Sequence, residues 1–575
     1  MKISNICTIS LVMASVILGS LNARGQQDTV RLKQQEVEVS KNYQPSVFEV
    51  DKINDIPKIK TEQTEPPTFD YSIFSKPLFT TFDLQPVEAA KVVDESGPEL
   101  ENGLLKLGFG NYVTPYGELF YNVQPGKTSN FGMHFMHQSS FGRIKLLNDD
   151  KVKAPHADNV AELFGHKFFR KSTLSGKLAF DRKSFNYYGY PGPRLSDEEK
   201  QATIPLFGEK QHFSQGTADV HLKSSKTYNS DLNYDFGINY HYFATKTEQK
   251  EHQTVLSANL NKKFDNTIGL LYTSFTFYRA DGMRNILTEN IGQKQQVVFR
   301  INPSVMWKRE RAKLQVGLNT AMLFDDDADA SVMMFPKVEA EWSPVKQVLS
   351  LFAGVDGYFQ HNTYSFIARE NPYVDPYHDY RNSKYSYILS GGIKGKLSSK
   401  TNFVTQASYS LVKDQHFYVT KRDSLSTFNV VYDDVNVFKM SAELLHAVSD
   451  DFSLRLGGNF YSYTLDAQEK AWHMPDFDFT FSGIYRPSEQ LKFTADIFFI
   501  GERTGLIMEP DFSSRMSQQV TMDPIIDLNV AGEYQFTDRL NFFAKLNNFG
   551  FQKYEQWLGY TNKGFNWLAG MSYSF

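Results

Sequence analysis

The sequence predicts an antiparallel transmembrane β-barrel of about 22 strands, with short turns at one end and long loops at the other. Three observations lead there. Apolar and polar side chains alternate along run after run from Gly103 to the C-terminus, so each strand has one greasy and one wettable face. Short polar turns and longer connections take turns along the chain. The chain stops on Phe575.

The final run shows the alternation best. Phe565, Trp567, Ala569, Met571, Tyr573 and Phe575 share one parity, and Asn566, Leu568, Gly570, Ser572 and Ser574 the other. It resembles the C-terminal assembly signal of bacterial outer-membrane barrels, carried here by Gly570, Tyr573 and Phe575; Leu568 departs from it. Upstream, Ile526, Leu528, Val530, Gly532, Tyr534 and Phe536 form an outward set. So do Leu491, Phe493, Ala495, Ile497 and Phe499, and likewise Phe477, Phe479, Phe481, Gly483 and Tyr485. Their neighbours, such as Asp527, Lys492 and Asp478, face the bore.

Short turns fall at Lys171-Ser172, Lys226 to Asn229, Asp265-Asn266, Arg309 to Arg311, Ser399-Lys400, Ser449 to Asp451, Pro487 to Glu489 and Thr537-Asp538. Longer connections fall near 143–160, 190–210, 363–382, 413–426 and 505–520. Barrels of this kind keep short turns in the periplasm and long loops outside. Counting back from a periplasmic C-terminus keeps every short turn on that side.

Composition agrees. Mean hydropathy is −0.42, which alternation makes compatible with a membrane barrel. The 48 Phe and 31 Tyr suit two aromatic girdles. A net charge of −4 leaves no nucleic-acid footprint. Residues 1–25 read as a signal peptide: Lys2, an apolar run from Ile6 to Leu21, then Ala23 and Gly25 before the cut. The sole cysteine, Cys7, lies inside it, so the mature chain has no disulfide or thiolate chemistry. Residues 26–100, rich in Pro, Glu, Lys and Gln, read as an extended periplasmic or lumenal segment, a reduced plug or an extension. Residues 101–575 are the barrel.

The ending LNNFGFQKYEQWLGYTNKGFNWLAGMSYSF looks like that of TonB-dependent outer-membrane receptors, through Asn547-Asn548-Phe549, Tyr554, Gly559-Tyr560, Gly564-Phe565 and Tyr573 to Phe575. The resemblance implies a 22-strand barrel in the outer membrane of a Gram-negative bacterium. It also implies uptake of a solute such as an iron chelate, cobalamin or a glycan, coupled to TonB. Glu36, Val37, Glu38, Val39 and Ser40 are similar to a TonB box. The departure is the plug domain, which runs well over a hundred residues in that family. Only the span 26–100 is present to take its place.

That departure has a geometric consequence. Twenty-two tilted strands make a ring roughly 44 Å across, with a hole of roughly 30 Å inside the side chains. Something must close it: residues 26–100, folded-in loops or another protein. Two functions therefore remain open. One is passive or TonB-coupled uptake; the other is a non-transporting scaffold subunit of an outer-membrane complex.

Candidate sites are few. Tyr188, Tyr190, Tyr373 and Tyr377 lie in outer loops and are candidate contacts for a ligand or partner, beside the plainer reading of girdle and loop packing. Asp325, Asp327 and Asp329 suit a weak Ca²⁺ site, beside a solvated loop or a divalent bridge to lipopolysaccharide. His134 and His137, three apart on a strand, point to opposite faces and share no metal. No nucleophile elbow, zincin helix or phosphate loop occurs, so neither catalytic residues nor a cofactor are assigned. Expected partners are outer-membrane lipids and lipopolysaccharide, the barrel-assembly machinery, and TonB or a surface or periplasmic lipoprotein, with no nucleic acid.

Overall fold

The computed structural model describes residues 102–575 apart from 127, 206, 225–231, 285–290, 327–328, 379 and 509–516. The segments 1–25 and 26–100, including Glu36 to Ser40, lie outside the described residues.

Of the 24 strands in the main sheet, all but the hairpin Arg503–Met508 and Gln518–Met522 form one closed antiparallel ring of 22. Gly103–Gly110 is the first and Asn566–Ser574 the last. They pair with each other from Leu104↔Ser574 to Gly110↔Leu568, which closes the barrel. The seam is tied at its periplasmic end by two backbone bonds between Gly103 and Phe575, of 2.7 and 2.9 Å. No described helix is long and apolar enough to cross a membrane; the strands cross it.

The large exposed apolar side chains lie on one parity of strand after strand: Leu105 and Leu107, Leu178 and Phe180, Phe236 and Ile238. They form the lipid-facing belt. The late strands behave as their alternation requires, with Ile526, Tyr534, Phe493, Phe477, Tyr485, Met571 and Tyr573 all exposed. The molecule is a membrane-spanning β-barrel.

Most of the expected short turns gather at one end; the tight turns at 111–113 and 246–249 lie at the other, outer end, and Lys226 to Asn229 lie outside the described residues. One expectation fails. Residues 413–421 are not loop but continue the strand Thr401–Lys421, with its partner Phe428–Ala447. These strands have 21 and 20 residues. About ten span the hydrocarbon, so the hairpin rises roughly 30 Å beyond it. The register slips between Val412 and Gln415, where Asp414 has φ of 53°. That bulge re-aims the outer half of the hairpin, so that Phe417, Tyr418 and Val419 are all buried. Strict alternation ends there, which is why the segment reads as loop. Two outer loops escaped the sequence reading: 466–476, and 548–565, which carries the small hairpin Glu555–Trp557 with Tyr560–Thr561.

Candidate functional site: an outer mouth closed by converging loops

Three loops meet through three tyrosines. Tyr188 lies in the loop after Ser172–Asn186, Tyr373 in the loop after Leu349–Gln360, and Tyr560 in the loop after Leu540–Asn547. Around the ring these loops leave the wall eight, eight and six strands apart. On a ring roughly 44 Å across, such points are separated by roughly 33–40 Å, so each loop reaches roughly 20 Å inward to touch the others. The rings of Tyr373 and Tyr560 stack at 3.5 Å, and Tyr188 meets their edges at 5.9 and 4.9 Å. The contact falls near the barrel axis.

A dry core surrounds this junction. It contains Tyr187, Ile367, Val374, Leu558 and Tyr560 from the loops, with Phe243, Tyr278 and Phe428 from the strand rims. Apolar area removed from water is the main force holding it. Hydrogen bonds fix its register. The Tyr187 hydroxyl donates to Val374 O at 3.0 Å, and the Tyr188 hydroxyl to Thr561 O at 3.2 Å. The Tyr560 hydroxyl donates to Ser426 O, and the Ser426 hydroxyl to Thr203 O at 2.6 Å, which ties in a fourth loop.

The short helix Tyr364–Glu370 sits in this core. Thr363 caps it by accepting the Phe366 N–H. Glu251, fully buried at the strand rim, accepts from the Ser365 N–H at 2.8 Å, the Ser365 hydroxyl at 2.6 Å and the Tyr278 hydroxyl at 3.2 Å. Three donors satisfy a carboxylate that burial alone would disfavour.

A second cluster ties two further loops, 466–476 and 501–524, to the tall hairpin. The strand Arg503–Met508 lies parallel to the top of Thr401–Lys421, pairing Thr420↔Ile507 and Lys421↔Met508. Arg503 is buried and donates to Gln556 O at 2.8 Å and Glu555 O at 2.6 Å. His473 bridges Tyr418 O at 3.0 Å and the Leu558 N–H at 3.4 Å, so it donates from Nδ1 and accepts at Nε2. Burial, helped by the Arg503 charge, pushes the His473 imidazole down to about 3. Burial raises the Glu555 carboxyl to about 7, against the Gly559 N–H and Arg503, which favour its charge.

Below the mouth the lumen wall is charged. Lys106 pairs with Glu118 at 3.1 Å, Glu118 with His134 at 3.2 Å, His134 with Glu162 at 3.3 Å and Glu162 with Lys177 at 2.6 Å. This ladder crosses five consecutive strands on the face opposite Leu105, Leu163 and Leu178. It keeps the wall wettable while leaving each charge paired.

The candidate residues divide accordingly. Tyr188 and Tyr373 face each other and Tyr560; Tyr190 is buried and donates to Asp150 at 2.7 Å; Tyr377 is half-buried in the same loop as Tyr373. Tyr573 and Phe575 lie on the lipid face. Gly570 faces the seam, where a Cβ would sit 2.1 Å from Leu107 O and 2.6 Å from Phe543 Cζ. Asp325 accepts from Gln296, Asp329 is exposed, and Asp327 lies outside the described residues. Among the described residues no three His, Cys, Asp or Glu are placed to hold a metal ion. His134 and His137 face opposite ways, the latter bonded to Asn159 at 2.7 Å. Sequence reasoning missed His473, Arg503, Glu555 and the keystone role of Tyr560. The signal was the apolar run Trp557-Leu558 before Gly559 (φ 84°), out of place in an exposed loop.

No protein-family model matches the chain, and no curated protein does. Solved structures do resemble it. The FrpB iron transporter of Neisseria meningitidis superposes with a TM-score of 0.64 at 10% identity, over 83% of this chain and 81% of that one. The ferric-catecholate import receptor Fiu of E. coli K12 gives 0.61 at 10%, over 83% and 82%. The pyoverdine outer membrane receptor FpvA of Pseudomonas aeruginosa PAO1 gives 0.59 at 12%, over 83% and 78%. These are receptors and transporters rather than enzymes. The barrel has the fold of TonB-dependent outer-membrane receptors.

Proposed function

We propose that this barrel takes up a solute across the outer membrane through a lumen whose outer mouth the converging loops close. The observation that carries the reading is the loop junction: three long loops, which touch one another through the side chains of Tyr188, Tyr373 and Tyr560, lie above a lumen wall lined with paired charges. Contacts of that kind can part and re-form without breaking the barrel ladder, as a mouth that admits a solute requires. The likeness to iron and siderophore receptors supports transport as the kind of activity.

Coupling to TonB through Glu36 to Ser40 belongs to the proposal. The test is uptake in cells. A chain lacking residues 36–40 is expected to reach the outer membrane yet lose energy-dependent accumulation. A passive route instead predicts uptake insensitive to that deletion and to TonB depletion. Transport as such is abandoned if no solute enters faster with the protein than without it.

The scaffold reading draws on a different feature. Phe549, Phe551 and Phe565 stack in an outer loop, with Phe549 and Phe551 exposed. Clustered exposed aromatics are a common mark of a partner surface. Stoichiometric copurification of another outer-membrane protein, lost in F549S/F551S, is the outcome that favours it.

A further inference from the structure

The outer loop 141–155 folds into a hairpin of Arg143–Lys145 and Lys151–Lys153, paired Arg143↔Lys153, Ile144↔Val152 and Lys145↔Lys151. With period 2, the central pair faces one way and the two flanking pairs the other. Ile144 and Val152 pack on Tyr188, Tyr190, Leu195 and Leu425, which belong to inward-folded loops. The apolar face therefore looks toward the barrel axis, and all four cations look away from it, exposed.

Two like-charge pairs sit directly across one short hairpin, an arrangement that destabilises an isolated strand pair. Asp149 relieves only part of it, pairing with Lys145 at 2.8 Å and with Lys553 at 2.9 Å. Arg143, Lys151 and Lys153 have no acidic partner among the described residues. An external anion is what this face lacks.

The surface below says which anion. The hairpin joins the strands Ser129–Ser140 and His156–Phe168 and rises from their outer ends. On their lipid side Phe135, Leu163 and, on the next strand, Phe180 are exposed. One step higher on the same face runs the polar row His137, Asn159 and Arg182, in register as His137↔Asn159 and Asn159↔Arg182. Arg182 is exposed and also has no acidic partner among the described residues. From lipid to solvent the sector thus presents an apolar wall, a polar row and a cationic hairpin. That is the profile of an amphiphile with acyl chains, a polar head and phosphate.

We infer that the outward face of this hairpin, with Arg182, binds the phosphate of an acylated, phosphorylated glycolipid in the outer leaflet. Arg143 and Lys153 sit at the base of the hairpin and take the phosphate; the chains lie on Phe135, Leu163 and Phe180. The site is independent of the transport reading, because none of its residues faces the lumen.

The test uses the full-length protein in detergent with three probes: bis-phosphorylated lipid A, the same lipid after dephosphorylation, and inorganic phosphate. Retention is read by native mass spectrometry. The phosphorylated lipid is expected to bind at least about tenfold better than the dephosphorylated one, a preference that R143Q/K151Q/K153Q removes. The separate R182Q variant is expected to weaken it in part. Heat-modifiable migration, kept in both variants, shows that the barrel has folded. Equal retention of the two lipids, or a preference unchanged in the triple variant, overturns the site. Displacement of lipid by an equal concentration of inorganic phosphate overturns the assignment to a lipid. Occupation of the face by an acidic protein, with no lipid retained, does the same.

Discussion

Tyr373 lies flat on Tyr560, ring centroids 3.5 Å apart and planes 17° apart, although their loops leave the barrel wall eight strands from each other. The contact is what a long loop gains by leaving solvent: each ring covers the other, and Tyr188 closes the triangle at 4.9 Å. It sets packed aromatic rings in the mouth of a bore that the 22 strands alone leave open.

Y560A is therefore expected to open the mouth and leave the barrel intact. Truncating a buried aromatic costs about 3 kcal/mol, here charged to the loop core and not to the strand ladder. Single-channel conductance in planar bilayers should rise from near zero to large, flickering openings, while the melting of the barrel stays where it is. A Y560A channel as silent as the parent means that something other than the loops blocks the bore.

Buried His473 and half-buried Glu555 make opposite pH predictions. His473 refuses a proton down to about 3, whereas unfolded loops take one near 6.5, so its contribution falls as pH drops through that window. Glu555 keeps its proton up to about 7, against an ordinary 4.5, so its contribution falls as pH rises from 4.5 to 7. Between 4.5 and 6.5 the two oppose each other. Limited proteolysis of the outer loops should show little pH dependence in the parent over this range. It should show protection on acidification in H473Q and loss of protection in E555Q. Parallel behaviour of the two variants would refute the assignment.

Gly570 allows the seam to close. A Cβ there would stand 2.1 Å from Leu107 O and 2.7 Å from Gly108 Cα, and backbone cannot yield as a side-chain tip can. G570A is expected to abolish the heat-modifiable folded band in outer-membrane fractions. G457A, on a strand where an added Cβ meets nothing within 4 Å, is the matched control and should assemble normally.

Glu118 is the hub of the lumen ladder, taking Lys106 at 3.1 Å, His134 at 3.2 Å and the Tyr116 hydroxyl at 2.6 Å. E118Q leaves Lys106 without its anion inside the barrel, while His134 keeps Glu162 at 3.3 Å, and should destabilise it by about 3 kcal/mol in denaturant unfolding. K106M/E118Q should recover part of that loss, since the stranded charge goes with it.

Alternation along a closed ladder is a local property, and the sequence displays it directly. Ile526 and Tyr534, or Trp567 and Met571, lie on the lipid side because a strand repeats every two residues. Phe575 meets Gly103 because the count of strands brings the last beside the first. So the barrel, its faces and its polarity were determined by the sequence alone. The pattern stops being legible where one residue is added, at the Val412 to Gln415 bulge, beyond which Phe417, Tyr418 and Val419 are buried together. Only the tertiary structure decided what stands in the mouth. Tyr188, Tyr373 and Tyr560 are 185 and 187 residues apart along the chain, and no period relates their side chains. Their loops meet because the ring holds its rims at a fixed spacing and water penalises aromatic rings left outside a core. His473, neutral between Tyr418 and Leu558, was invisible for the same reason: its chemistry is set by neighbours that only folding brings near.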